Sequence, residues 1–144
     1  MRDIYLIRKQ IKPSTTLGQL GQILKDFYRE YMDKRGIGYG CCLETALVVN
    51  DCFFRAKMVM CLHPKYVVHY WNMLPDGQEI DFTRDQLSQD ALRGLTVYPV
   101  DRLRATATEA QAQKYYKLRD FVVRRLQRSS PKAMKFDSPK PFNH

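Results

Sequence analysis

Residues 67–83 read VVHYWNMLPDGQEIDFT. Two runs rich in β-formers, VVHYWNM and QEIDF, flank LPDG, where proline suits the second position of a type I turn and glycine the left-handed position after it. The stretch is expected to be a β-hairpin, and its loop decides which side chains meet. With Pro75-Asp76-Gly77 as the loop, Leu74 stands opposite Gln78, Trp71 opposite Asp81 and His69 opposite Thr83. Strand alternation then projects His69, Trp71, Asp81 and Thr83 from one face, and Val68, Tyr70, Asn72, Ile80 and Phe82 from the other. His69 and Asp81 become diagonal neighbours about 7 Å apart at Cβ, near enough for an imidazole and a carboxylate to meet. A two-residue turn on Pro75-Asp76 would put them on opposite faces.

Upstream, residues 38–51 read GYGCCLETALVVND. The preceding GIGYG, residues 36–40, has three glycines in five and is a loop. From Cys42 to Phe54 nearly every residue is apolar or small, which predicts a central buried helix of about three turns. Before the loop, Leu17, Leu20, Leu24, Phe27 and Tyr31 recur at steps of three and four, the buried stripe of a helix started by Thr15 or Thr16 and ended by Gly36. After the cysteine helix, RAKMVMCL alternates with Ala56, Met58, Met60 and Leu62 on one side, as a half-buried strand does, and HPKY breaks it, with His63 as a turn residue.

Downstream, TRDQL offers a capping box between Thr83 and Gln86, and LTVYPV another strand. A second capping box, Thr106 to Glu109, opens the last long helix, with Tyr115, Leu118, Val122 and Leu126 on its stripe. The resulting class is α+β. A length of 144 residues fits one domain, expected at 1–128. The final SSPKAMKFDSPKPFNH, residues 129–144, has three prolines, three lysines and no periodicity, and reads as a tail that includes His144.

The 44% hydrophobic content is that of a globular chain. No apolar stretch reaches the ~18 residues that span a bilayer, and residues 1–10 lack a signal-peptide core, so a cytoplasmic protein with no membrane association is expected. Cys41, Cys42, Cys52 and Cys61 lie within 21 positions, and a reducing compartment keeps them as thiols. The formal charge of +9 is concentrated at the end: residues 1–100 carry 13 basic and 11 acidic groups, residues 101–144 carry 11 and 4. That segment suits an anionic partner through salt-sensitive attraction.

Three of these residues suit one chemistry. A thiol attacks as thiolate, and the start of a helix favours negative charge through its dipole and unpaired N–H groups. Cys42 falls there, and the same N–H groups suit the oxyanion formed when sulfur attacks a carbonyl. His69 would transfer the proton, with Asp81 holding its tautomer and stabilising the imidazolium. The order Cys, His, Asp is that of papain-like and transglutaminase-like thiol enzymes. On spacing alone, each residue has a plainer reading: a small core thiol, a satisfied strand histidine, a turn acceptor. Trp71, on the His69 face, is expected to wall the cleft, and Asn72 to lend polar contacts to substrate. Asp51 reads as a helix-end contact.

GCCLETALVVND followed by HYWNMLPDGQEIDFT resembles the YunG family of small bacterial proteins. There a Gly-Gln-Cys-x-x-Thr-Ala-Leu-Val-Val-x-Asp helix precedes His-Tyr-Trp-Asn, a glycine-containing turn and an Ile-Asp-Leu-Thr strand. The likeness covers residues 40 to about 87, with a looser match at YYKLRDFVVRRL. It implies a papain-like, or NlpC-like, thiol-hydrolase fold, with the cysteine helix packed on a small antiparallel sheet. It also implies Cys42 as nucleophile, with His69 and Asp81 completing a triad. Cys41 stands beside the nucleophile, and so is expected to contact substrate, where the family commonly has glutamine; the change removes an amide that could donate to an oxyanion.

The leading expectation is therefore a cysteine hydrolase or acyl-transferase acting on an amide, isopeptide or thioester bond of a peptide or protein substrate, with no cofactor. Its rival is a non-catalytic binding protein on the same fold that uses the basic carboxy-terminal segment. Structural zinc on Cys41 or Cys42 with Cys52, Cys61 and His63 lacks any C-x-x-C pair, so no metal is expected. Nucleic-acid modules are unsupported: there is no RNP-like aromatic motif, zinc finger or helix-turn-helix pattern.

Overall fold

The computed structural model describes residues 15–65, 67–88 and 90–128, so the expected tail, His144 included, lies outside the described residues. Helix α1 (Leu17–Tyr31) starts at Thr16, whose hydroxyl accepts from the Gln19 N–H while the Gln19 side chain accepts from the Thr16 N–H. This reciprocal box satisfies two of the N–H groups a helix start leaves open. Leu20, Ile23, Leu24, Phe27 and Tyr28 are its buried stripe. Tyr31, expected among them, is 48% exposed at the last turn. The helix caps at Met32, and Gly36, expected to end it, instead turns the following loop with φ +81°.

That loop leads to α2 (Cys42–Cys52), whose residues from Leu43 through Asp51 are all buried. A helix apolar on every side must be covered on every side. Strand β2 (Val67–Met73) packs on α2 from one direction and the long helix α4 (Glu109–Arg128) from another. Helix α4 supplies Tyr115, Leu118, Val122 and Leu126 to the core, the expected stripe. Its start differs from expectation. The capping pair is Thr108 with Gln111, two residues later than the Thr106 box, because Asp101 caps a short helix α3 (Arg102–Ala105) that occupies the preceding residues.

The sheet is antiparallel, in the order β3-β2-β1-β4, with β1 at Lys57–His63, β3 at Glu79–Ile80 and β4 at Tyr98–Pro99. Pairing of Asn72 with Ile80 and Met73 with Glu79 is the three-residue-loop register. The Leu74 N–H donates to the Gln78 carbonyl at 2.9 Å, and Gly77 takes the left-handed φ of +92°. Strand β3 is shorter than expected, because the chain turns away at Asp81 into a 3-10 turn, Arg84–Gln86. Thr83 does not cap that turn; its hydroxyl donates to Asp81 instead.

Strand β1 was expected to be half-buried with Ala56, Met58, Met60 and Leu62 inward. Ala56 and Met58 are buried, but so are Val59 and Cys61 on the other face, and Leu62 is 56% exposed. An interior strand has neighbours on both edges, and here the chain around Leu92 and Leu95 also covers the second face, against Val59, Cys61 and Trp71.

Two buried amides join helix to sheet. Asn72 Nδ2 donates to the carbonyls of Ala46 (3.0 Å) and Ala56 (3.1 Å), and Asn50 Nδ2 also donates to Ala56. Removing the Asn72 amide loses two buried hydrogen bonds, each worth about 0.5–1.5 kcal/mol. Asn72→Ala is therefore expected to lower the unfolding free energy by about 1–3 kcal/mol, read from urea denaturation; an unchanged midpoint would show that the tie is dispensable.

Candidate active site

The hairpin register puts His69 and Trp71 on the sheet face opposite Asn72, and the early end of β3 frees Asp81 to swing beneath the imidazole. His69 Nε2 and Asp81 Oδ2 lie 2.7 Å apart, with both side chains almost wholly buried. The carboxylate is held from three sides. Its Oδ1 accepts from the Thr83 N–H at 3.1 Å and the Thr83 hydroxyl at 3.2 Å, and its Oδ2 also accepts from Arg84 Nε at 2.7 Å. Trp71 stacks on His69 with ring centroids 5.6 Å apart and a 22° tilt, which shuts water away from the pair.

Nε2 is engaged by Asp81. The other side chain that acts on the imidazole is the Cys42 thiol, at the first residue of α2. Burial disfavours an imidazolium here, but the hydrogen bonds and charges of Asp81 and Cys42 outweigh it and push the His69 pKa up to about 9. Burial likewise opposes ionisation of Asp81, yet His69 and Arg84 hold its carboxyl below the ordinary range. The pair thus carries an imidazolium and a carboxylate at neutral pH.

The thiol stands at an open helix start. The first intrahelical bond runs from the Thr45 N–H to the Cys41 carbonyl at 3.0 Å, so the N–H groups of Cys42 and Leu43 precede it. The two cysteines diverge. Cys42 is half-buried, whereas Cys41 is buried and its thiol is pushed up to about 12, chiefly by burial and then by the Glu44 charge. Beneath them the Tyr28 hydroxyl meets the Thr45 hydroxyl. The same ring explains a glycine: a Cβ on Gly38 would lie 2.8 Å from the Tyr28 Cζ, so only glycine lets the loop settle onto the ring.

Cys42, His69 and Asp81 are therefore brought together, and Trp71 stacks on the imidazole. Cys41 and Asn72, expected to contact substrate, instead face inward. Cys41 is 7% and Asn72 1% exposed, and each is engaged by buried partners. An open cleft of about 300 Å³ runs beside Cys61, Trp71, Arg84, Leu92 and Leu95, but neither Cys42 nor His69 lines it. Trp71 thus walls a cleft behind the pair rather than one at the thiol. Asp51 is a helix-end contact: its carboxylate takes Arg102 at 2.6 Å and the Tyr115 hydroxyl at 2.5 Å.

Two residues escaped the sequence reading. Arg84 gives Asp81 its second cation, a link hinted at only by the three-residue spacing. Gln86 accepts from the Gly40 N–H at 3.1 Å, across 46 positions, and nothing local signals it. Among the described residues no group of three or more His, Cys, Asp or Glu side chains could hold a metal ion, and no helix is long and apolar enough to cross a membrane.

Because the folded pKa of His69 lies above its ordinary 6.5, the stabilisation it brings is complete below about pH 6.5 and lost as pH rises through about 9. Thiols held up by burial, such as Cys41, weaken the fold only above their ordinary pKa of 9.0. Urea titrations across this window should therefore show the wild type losing stability from pH 6.5 upward and His69→Gln losing little before pH 9. Parallel curves would contradict the assignment of the charge to His69.

No curated protein and no solved structure matches the chain. The family model described as YunG protein matches residues 26–127, a span that runs from within α1 almost to the end of α4 and takes in the thiol, the imidazole and the carboxylate. The chain belongs to the YunG family.

Proposed function

We propose that the chain is a cysteine hydrolase or acyl-transferase of papain-like architecture, working through Cys42, His69 and Asp81. The observation that carries the reading is the buried 2.7 Å contact of His69 with Asp81, beside a thiol at the open start of α2. A histidine that served only as core filling would not need a buried carboxylate on one nitrogen and a thiol nearby.

In this reaction the Cys42 sulfur, its proton held by His69, attacks a carbonyl carbon. A C–S bond forms while the carbonyl π pair moves onto oxygen. When that pair returns, the bond to the leaving nitrogen, oxygen or sulfur breaks, and the leaving group takes the His69 proton. The neutral imidazole then draws a proton from water, or from an acceptor nucleophile, as it attacks the thioester. Acid or acyl product departs and the imidazolium is restored. Asp81 keeps its charge throughout and holds the imidazole in place for the sulfur. The substrate class is an amide, isopeptide or thioester of a peptide or protein.

The binding-protein alternative draws on the basic face of α4, where Lys117, Arg124, Arg125 and Arg128 border a groove with Phe27 and Tyr31. Several of these charges are already engaged: Arg125 with Asp26 at 2.5 Å, and Lys117 over the Tyr31 ring at 4.3 Å. Glu30 and Asp120 stand in the same groove. It has less support than the triad.

Iodoacetamide near neutral pH should label Cys42 well before Cys41, Cys52 and Cys61, and His69→Ala should slow that labelling, which greater exposure of Cys42 alone would not explain. Acetylation of Cys42 by p-nitrophenyl acetate should fall by about 10²–10⁴-fold in His69→Ala and vanish in Cys42→Ala. Equal labelling of all four thiols, or indifference to His69→Ala, would remove the catalytic reading.

A further inference from the structure

An attack on a carbonyl needs two donors for the oxygen that becomes charged, and the helix start offers one kind, the backbone N–H groups of Cys42 and Leu43. A side-chain donor beside the nucleophile is missing, because Cys41 is a thiol turned inward toward Thr45 and Glu44. The structure supplies a carboxamide from elsewhere. Gln86 ends the 3-10 turn that begins three residues after Asp81, and its Oε1 accepts from the Gly40 N–H at 3.1 Å. Gly40 lies two residues before Cys42, in the left-handed conformation (φ +68°) that leads the chain into the helix.

The turn that carries Gln86 is anchored to the catalytic pair. Thr83 binds Asp81 through both its N–H and its hydroxyl, Arg84 binds the same carboxylate, and the Gln86 N–H donates to the Thr83 carbonyl at 3.2 Å. One side chain thus bridges the acid's turn to the nucleophile's loop. A carboxamide bound through oxygen to the Gly40 N–H still carries two N–H donors on Nε2. These have no protein acceptor among the described residues, and Gln86 is only half-buried, so they remain open to a ligand.

We propose that Gln86 is the second oxyanion donor of this site, its Nε2 and the Cys42 N–H together holding the oxygen of an acyl group attacked by the Cys42 sulfur. Resting on the function proposed above, the assignment brings to the thiol a carboxamide that position 41, a cysteine, does not provide. During attack the C–S bond forms and the carbonyl π pair settles on the oxygen held by these donors. The pair returns to re-form C=O as the leaving group departs with the His69 proton. Gln86 gains and loses no proton.

The test separates alkylation, in which no oxyanion forms, from acylation, in which one does. The full chain and its Gln86→Glu and Gln86→Ala variants are treated with iodoacetamide and, separately, with p-nitrophenyl acetate, with modification of the Cys42 peptide followed by mass spectrometry and folding checked by thermal melts. Gln86→Glu keeps an acceptor for the Gly40 N–H while removing both donors, so a merely structural role predicts near-normal acylation. The assignment predicts alkylation little changed and acetylation slowed by about 10²-fold in both variants. Acetylation of Gln86→Glu at the wild-type rate overturns the assignment and leaves the triad standing. Equal slowing of alkylation and acetylation overturns it as well, since the fault then lies with the thiol. A wild-type chain that is alkylated at Cys42 but never acetylated sinks the acyl-transfer reading and the assignment together.

Discussion

An imidazole sealed inside a protein must find a counter-charge or give up its own, and His69 finds an anion, with a thiol acting on it as well. The 2.7 Å contact with Asp81 is the interaction on which the arrangement turns. In a water-poor setting the attraction between opposite charges grows, but so does the cost of removing either from solvent. What tips the balance is that Asp81 is not asked to rely on His69 alone: Arg84 adds a second cation, and Thr83 adds two hydrogen bonds. A carboxylate so well served stays ionised and can hold the imidazolium beside it.

The surrounding fold can be understood as the apparatus that keeps this pair and the thiol in register. Helix α2 is buried along nearly its whole length, so its amino-terminal end cannot drift relative to the strand that carries His69. Asn72, three residues along β2, ties that strand to the helix through the Ala46 carbonyl, on the face opposite His69. At the other end of the helix, Arg102 gathers the Leu47 carbonyl, Asn50 and Asp51 into one network with Tyr115 of α4. The polar groups inside this core are accordingly attachments between elements. Gly38 contributes by absence: with no Cβ it lets the loop before Cys41 rest on Tyr28, whose hydroxyl reaches Thr45 under the thiols.

Much of this was legible in the chain because it depends on short-range rules. A proline and a glycine two positions apart select the hairpin loop, and the loop selects the register. The register then puts His69 and Trp71 on one face and Asn72 on the other. Spacings of three and four exposed the stripes of α1 and α4. The misreadings share a cause as well. Thr83 and Thr106 both match a capping pattern, yet neither caps, because Asp81 competes for the first hydroxyl and α3 occupies the residues around the second. Strand β1 alternates as a half-buried strand should, but its other face is covered by chain more than thirty residues away, which no local pattern encodes.

By itself, then, the sequence determined the three longer helices, the hairpin and the family motifs, since periodicity, turn chemistry and residue order are properties of neighbouring residues. It also determined that a thiol, an imidazole and a carboxylate would occur in that order around a glycine loop and a β-turn. Tertiary structure decided which of two adjacent cysteines turns outward, that β3 ends early enough for Asp81 to reach His69, that Arg84 joins Asp81, and that Gln86 reaches Gly40. Those outcomes rest on contacts such as Gly40 with Gln86, whose partners are far apart in the chain and meet only once the core between them has packed.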